Sequence, residues 1–579
     1  MGLKYSIEKN TQRLIVIMKH HGIKKVVVSP GAQNICFVGS IQHDDYFEIY
    51  SAPDERSAAY IACGLAAESG EPVALSCTGA TASRNYVPAL TEAYYRKLPI
   101  LAITATKHPA FIGQNVPQVI DRTNLQNDIA KKSVYVPTIQ SKDDDWGAVV
   151  AINSAILELK RGGGGPAHIS LETTHSSDYS VAELPKTRCI DRLFLTDRFP
   201  AIDSSKKTAI FVGSHLKWTP ELTSAVEKFC ERYNAVVLCD HTSNYHGKYK
   251  ILPALVTFQS QYHASCCDID LLIDIGNMSG AYIELKPKQV WRVHQDGEIR
   301  DQFRAIRLVF EMDELSFFKR YLSKEETAAN TSYYDEWAKE YSELFRMIPE
   351  IPLSNLWMAK TLSPMLPSGS VLHLGILNSL RSWNFFHVSE DIDCYCNTGG
   401  FGIDGPISTV LGGALASSDR IHYLVLGDLA FFYDLNSLGN RHFPKNIRIL
   451  LINNGVGTEF KNYSHKAALF GEEADKFMAA RGHYGNKSAV LVKHFAEDLD
   501  IEYLTASSKD QFTEQLARFT DTSAEGSMIL EVFTNSSEES DALKAVRNMK
   551  TSIEGSAKTI VKKLLGPKSA KTLKKLLGK

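Results

Sequence analysis

An α/β fold of three open parallel-sheet domains is predicted by three features of the sequence. Short apolar runs rich in Val, Ile and Leu recur without polar alternation, as strands buried on both faces do. Amphipathic stretches such as Ser57 to Ser69, SAAYIACGLAAES, lie between them. This strand–helix–strand rhythm is repeated in three successive segments of the chain. At 579 residues the chain is also too long for one core.

The first segment holds the runs KKVVVSPG, PVALSCTG, PILAITAT and AHISLE. KTAIFVGS, NAVVLCD, IDLLIDIGN and KQVWRVHQ make up the second, and SVLHLG, IHYLVLGD, IRILLINN and SMILEVF the third. Turn-forming residues gather over Leu184 to Lys207 and over Met347 to Asn355, and the last apolar run ends near Thr534. The expected domains are therefore residues 1–185, 186–350 and 351–540, followed by a tail over 541–579.

The formal charge of −2 and the 44% hydrophobic share are those of an ordinary globular protein and give no basic excess for nucleic acid. Ten cysteines show neither CxxC pairs nor zinc spacing, which predicts reduced thiols and a cytoplasmic protein. No signal peptide is expected from MGLKYSIEKNTQRL, and no apolar run reaches the ~20 residues of a membrane span. GxGxxG follows none of the predicted strands, which argues against a nicotinamide or flavin Rossmann enzyme.

Ligands of open parallel sheets bind beyond the carboxyl ends of the strands. Four runs end there in polar residues: Ser29-Pro30-Gly31, Thr78-Gly79, Gly427-Asp428 and Asn453-Asn454. Asp428 and Asn454 are 26 residues apart, one strand–helix–strand crossover, so both are expected at the same edge of adjacent strands. A carboxylate, an amide oxygen and a backbone carbonyl form a hard oxygen site that suits Mg²⁺ once phosphate oxygens complete the shell. Glycines 427, 455 and 457 allow backbone N–H groups to approach a phosphate. The competing structural reading makes Asp428 a helix cap and Asn453-Asn454 a turn.

That spacing resembles the diphosphate–magnesium motif of thiamine-diphosphate (ThDP) enzymes, with Leu429 in place of the second glycine of Gly-Asp-Gly. SPGAQN, DERSAAYIACGLA, CTGATASRNYVPALTEAYY, Gln118-Val-Ile-Asp, HQDGEIRD and NTGGFGIDGPISTVLGG narrow the likeness. Together they resemble the menaquinone-pathway synthases that make SEPHCHC from 2-oxoglutarate and isochorismate. The resemblance implies pyrimidine-binding, central and diphosphate-binding domains in that order, with ThDP and Mg²⁺ as cofactors. Glu55 matches the glutamate that shares a proton with the aminopyrimidine ring, which frees the exocyclic amine to take the thiazolium proton. As a plain structural residue, Glu55 would be an acid at a helix N-terminus. The cofactor is implied to touch Thr78, Asn85, Asn378, Ser379, Gly400, Gly427, Leu429, Ala430 and Gly455. Either Ile403 or Phe401 is implied as the apolar support under it. Asp428, Asn454 and Val456 are the implied metal ligands. Glu55 and Asp428 come from different subunits in this family, so a homodimer or homotetramer with active sites at the subunit interface is expected.

Basic positions that hold the two acidic substrates of those synthases differ in this chain. Gln33 and Thr398 stand where the family has arginine, the downstream arginine aligns with Trp383, and a Lys-Arg pair aligns loosely with Ala281-Tyr282. Lys107 keeps its basic type, and Gln118 matches a polar pocket residue. The substrate-side residues are thus expected at Gln33, Lys107, Gln118, Trp383 and Thr398. Arg381, Arg84 and Lys461 are the nearby cations that would have to compensate. Trp383 and Phe385-Phe386 suggest an aromatic-lined donor pocket; the alternative is that they only pack a helix.

This pattern predicts a diverged relative that decarboxylates a 2-oxo acid and transfers or releases the acyl group. A genuine SEPHCHC synthase and a non-catalytic ThDP-fold scaffold are the alternatives. The lysine-rich tail, with KKLLG at Lys562 and again at Lys574, can form amphipathic pieces that lie on an anionic membrane or dock a partner.

Overall fold

The computed structural model describes residues 4–122, 125–281, 283–323 and 329–551. Tyr282 and the expected amphipathic pieces of the tail lie outside the described residues. Three sheets are present, and every strand pairing given below is parallel, so the α/β class with three open parallel sheets stands.

The first sheet contains β1 (Lys25–Val28), β2 (Glu48–Ser51), β3 (Val73–Thr78), β4 (Ile100–Thr106), β5 (Lys132–Val136) and β6 (Ala167–Glu172), in the order β2-β1-β3-β4-β6-β5. Every residue of β3 and β4 is buried, whereas the edge strand β2 has none. The helix Glu55–Ser69 starts where Asp54 accepts from the N–H groups of Arg56 and Ser57. It ends at Gly70, whose φ of 68° is a left-handed C-cap.

Seven strands follow: β7 (Asp191–Leu193), β8 (Thr208–Val212), β9 (Ala235–Cys239), β10 (Lys250–Ile251), β11 (Leu271–Ile275), β12 (Gln289–Val293) and β13 (Ile306–Phe310). The third sheet contains β14 (Val371–Leu374), β15 (Asp393–Tyr395), β16 (His422–Gly427), β17 (Ile447–Asn453), β18 (Glu502–Ala506) and β19 (Met528–Phe533), in the order β15-β14-β16-β17-β19-β18.

Compactness does not follow the three expected segments. One unit is Met1–Arg198 with Gln295–Met312, and the other is Phe199–His294 with Asp313–Lys579. Ion pairs explain why 295–312 joins the first unit. Arg161 bonds Glu298 and Glu311, Arg192 bonds Glu311, and Arg188 reaches the buried Asp301 at 2.6 Å. The Trp146 indole also donates to Asp301 at 2.8 Å, and β13 pairs with β7 in the register Leu308↔Asp191. In the second unit, β8 to β12 run in the order β10-β9-β8-β11-β12. All ten cysteines are free thiols, and no described helix is long and apolar enough to cross a membrane.

The helices Asn355–Leu362 and Ser536–Arg547 are joined through a buried acid. Both Glu539 oxygens accept from the Asn355 N–H at 3.0 Å, and one also accepts from Thr534 Oγ1 at 3.1 Å. Burial pushes this carboxyl up to about 7, against those hydrogen bonds. A raised carboxyl favours the folded state below its unfolded pKa and loses that contribution as pH rises toward the folded value. From about pH 4.5 to 7 the loss is roughly 3 kcal/mol. Glu539→Gln is therefore expected to lie close to the parent in melting temperature at pH 5 and to exceed it at pH 8. Parallel melting curves at both pH values check this.

Candidate active site

The first half-site lies at the carboxyl ends of β1 and β3. The turn after β1 passes so close to β3 that a Cβ on Gly31 would lie 2.1 Å from Thr78 Oγ1. Thr78 Oγ1 accepts from the Gln33 N–H at 3.4 Å, and Gln33 Nε2 donates to the Gln118 carbonyl at 3.1 Å. Gln118 itself is exposed and holds a positive φ of 62°. Gln33 is completely buried, and its Oε1 has no donor among the described residues. Lys107 is half-buried with Nζ 3.5 Å from the Pro117 carbonyl, and Asn85 ends a short helix, exposed. Thr78, Gln33 and Gln118 are thus brought together, with Lys107 at the base of the loop that carries Gln118.

Glu55 opens the helix Glu55–Ser69 and is partly buried. Its charge acts on two buried groups, the Tyr86 hydroxyl and the Cys77 thiol. Burial keeps both neutral, raising the thiol to about 12. Among the described residues no hydrogen bond or ion pair engages the Glu55 carboxylate. Asp54 performs the capping, so the plain helix-terminus role is already filled.

The second half-site lies at the carboxyl ends of β14, β16 and β17. The register Gly427↔Ile452 sets Asp428 and Asn454 at the same edge of adjacent strands, as their spacing predicts. Asp428 is buried, and burial pushes its pKa up to about 7 against the lowering influence of the nearby Leu429 and Gly455 backbone, while the Gly455 N–H itself donates to Asn453 Oδ1 at 3.2 Å. The described residues supply no cation to it. Asn454 Oδ1 accepts from the Val456 N–H at 3.3 Å, and Gly455 takes a φ of 69° between them. A buried carboxylate without a cation, beside an amide oxygen and the Val456 carbonyl, is a donor set that fits Mg²⁺.

The two asparagines have separate duties. Asn453 turns into the sheet, where its amide donates to Glu531 at 2.7 Å and Tyr503 donates to the other carboxylate oxygen at 2.7 Å. Leu429 lies against Gly457, with a Cβ there meeting Leu429 Cδ1 at 3.3 Å. Next to the acid, a cleft is lined by Gly375, Ile376, Gly402, Ile403, Pro406 and Ala430. Ile403 is thus at the cleft and also packs on the apolar core. Phe401, with a φ of 53°, comes close to Gly280 instead, as does the buried Thr398, and Gly400 is exposed. Gly375 and Ile376 were not anticipated; the Gly that ends SVLHLG was the available signal.

Several of the residues expected on this side are engaged in contacts of the fold. Asn378 and Ser379, implied above as cofactor contacts, start a helix, Asn378–Trp383. The Asn378 amide oxygen accepts from Arg381 at 2.9 Å and from Asn462 at 3.2 Å, while the buried Ser379 hydroxyl accepts from Asn355 at 3.1 Å. Trp383 is fully buried. Its carbonyl, with that of Phe386, accepts from the buried His241 ring, and Phe385 packs on Phe258 with ring centroids 5.1 Å apart. Helix packing therefore explains these aromatics, and Trp383→Ala should cost about 3–5 kcal/mol of stability, measured by denaturant unfolding. Finally, two of the cations that might replace lost arginines are committed: Arg381 makes a two-pronged pair with Glu459 at 3.0 Å, and Lys461 pairs with Asp475.

Comparison with known proteins agrees with this geometry. Residues 9–125 match the N-terminal TPP-binding domain of thiamine pyrophosphate enzymes. The 2-succinyl-5-enolpyruvyl-6-hydroxy-3-cyclohexene-1-carboxylate synthase of Bacteroides thetaiotaomicron is 30% identical over 567 residues, covering 93% of this chain and 98% of that protein. The chain belongs to this synthase family. The synthase of Bacteroides fragilis is likewise 30% identical over 573 residues, with 93% and 98% covered, and that of Flavobacterium johnsoniae is 28% identical over 555 residues, with 92% and 97% covered. Thiamine diphosphate is the cofactor this family membership supports, and the chain is a diverged member of a family of enzymes.

Proposed function

We propose that this protein uses ThDP and Mg²⁺ to decarboxylate a small 2-oxo acid, then transfers the acyl group to an acceptor or releases it as an aldehyde. The observation that carries this reading is Asp428, a buried carboxylate to which the described residues supply no cation, held at one strand edge with Asn454. Asp428, the Asn454 amide oxygen and the Val456 carbonyl would hold the metal against the diphosphate. Gly455 brings a backbone N–H to the same edge, and Gly375, Ile403 and Ala430 would support the cofactor from the cleft. When bound, the cofactor supplies a carbon nucleophile for the 2-oxo group and a sink for the electron pair left as CO₂ departs. Glu55 would hold and return a proton at the aminopyrimidine nitrogen, and among the described residues no hydrogen bond or ion pair engages its carboxylate. Gln33, Gln118 and Lys107 would face the substrate.

A donor with one carboxylate, pyruvate or a near relative, suits this pocket. Removing one partner of a buried charge pair costs about 3–5 kcal/mol, and the resemblance puts Gln33 and Thr398 where the family has arginine. Alignment over almost the whole length of the relatives supports a second reading, a genuine synthase that uses 2-oxoglutarate and isochorismate. We also infer a homodimer or homotetramer. The helix that begins at Glu55 exposes Tyr60 and Ile61, apolar surface of the kind a subunit contact covers.

Incubation with ThDP, Mg²⁺ and a panel of 2-oxo acids, with CO₂ as readout, tests the assignment. Release from pyruvate or another monocarboxylic donor is expected. Turnover of 2-oxoglutarate alone, and only with isochorismate, would select the second reading. No release and no ThDP binding would leave a scaffold.

A further inference from the structure

A small cavity in the first unit, close to Gly79, is lined by positive charge and, among the described residues, by no acid. It is lined by Ser83, Arg84, Tyr86, Thr104, Arg122 and His168, with apolar residues around them. Arg122 is the central group. Its Nη1 donates to the Gly79 carbonyl at 2.7 Å and to Thr104 Oγ1 at 3.1 Å, and its Nη2 donates to Ser170 Oγ at 3.1 Å. All three acceptors are neutral. The Nε–H is buried and has no acceptor among the described residues.

Thr104 and His168 cannot supply that acceptor, and the buried Tyr86 hydroxyl on the same lining is itself without a hydrogen-bond partner among the described residues. Thr104 accepts from Arg122, so its own hydroxyl proton goes to His168 Nε2, 2.7 Å away. His168 Nδ1 then donates to Ser133 Oγ at 2.8 Å, which leaves the ring no free lone pair. The ring is neutral, because burial and the Arg122 charge push it down to about 3. Arg122 falls only to about 10 through burial, and stays charged near neutral pH. Arg84, its Nη2 bonded to the Asp121 carbonyl at 2.9 Å, adds a second guanidinium whose charge acts on Arg122. No carboxylate of the described residues lines the cavity. Arg122 is half-buried, and a cation whose buried N–H lacks an acceptor is penalised unless an anion joins it.

We propose that this cavity binds a single monatomic anion of the size of chloride, held by Arg122 Nε–H and the Arg84 guanidinium. Size excludes larger candidates: the cavity volume is about 20 Å³, enough for one ion or one water and too small for an organic acid. The site is thus distinct from the substrate pocket. Arg122 follows the loop that carries Gln118 by four residues, so a bound anion anchors the end of that loop.

Bromide is the probe. Crystals grown or soaked in bromide are expected to show an anomalous peak in the cavity within contact of Arg122 Nε. In solution, chloride or bromide should raise the melting temperature by about 2–4 °C over gluconate at equal ionic strength. Arg84→Gln changes only a surface-facing arginine and should shift the halide titration several-fold to higher concentration. Arg122→Gln should abolish the halide effect; if that variant fails to fold, Arg84→Gln and the bromide map still decide. Equal melting in halide and gluconate, or a water in the cavity of bromide-soaked crystals, overturns the proposal.

Discussion

Glu55→Gln is expected to lower CO₂ release by about 10²–10⁴-fold, the range for loss of a positioned proton-transfer group. The substitution keeps the size of the side chain and removes only its capacity to hold and return a proton. The fold should tolerate it well. Asp54, not Glu55, caps the helix, and no described residue bonds the Glu55 carboxylate. Melting temperature should therefore stay within about 1 °C of the parent, since substitutions away from packed or bonded features shift stability little. ThDP binding should persist, because the metal and diphosphate contacts reside elsewhere. Full turnover in the variant would refute the role given to Glu55, whereas unfolding would show an unrecognised structural duty.

Asp428→Ala should remove Mg²⁺-dependent ThDP binding, weakening it by about 10²–10³-fold, the equivalent of losing one partner of a buried charge pair. Its effect on the empty protein should run the other way. Burial raises the Asp428 carboxyl because its charge is poorly solvated, so a neutral side chain relieves a cost the fold otherwise bears at neutral pH. The unliganded variant is expected to melt at or above the parent temperature. Adding ThDP and Mg²⁺ should raise the melting temperature of the parent and leave that of the variant unchanged. A parent-like rise in the variant would remove Asp428 from the metal site. A matching test on Asn453 separates the two amides: because Asn453 holds Glu531 in the sheet, Asn453→Ala should reduce stability with ThDP absent.

Twelve strands were legible as apolar runs, and all twelve are present. The seven that were not legible include both edges of the first and third sheets: β2, β5, β15 and β18. An edge strand has one open side and carries mixed burial, as in KSVYV of β5 and EYLTA of β18, so no uninterrupted apolar run marks it. β7 and β10 are only three and two residues long. The site followed the same logic. Asp428 and Asn454 could be paired because a parallel crossover fixes which strand ends coincide. The state of Trp383 could not be read, since a tryptophan suits a pocket wall and a helix interface equally; only the contacts with His241 and the neighbouring phenylalanines decide. Nor could the pairing of Arg381 with Glu459, 78 residues away, be read from either residue alone.

The return of residues 295–312 to the first unit bears on how the chain is made. During synthesis the amino-terminal part emerges first and begins to fold as soon as it leaves the ribosome. Its partners arrive late: Arg161, Arg188 and Arg192 wait for Glu298, Asp301 and Glu311, and β7 waits for β13. More than a hundred residues are thus translated while three arginines and one strand edge lack their final neighbours. A released fragment ending at Arg198 should be more sensitive to protease near Trp146 and Ile190 than a released fragment ending at Met312. The acids of that late segment complete the first unit, so its assembly ends well after its last consecutive residue has been synthesised.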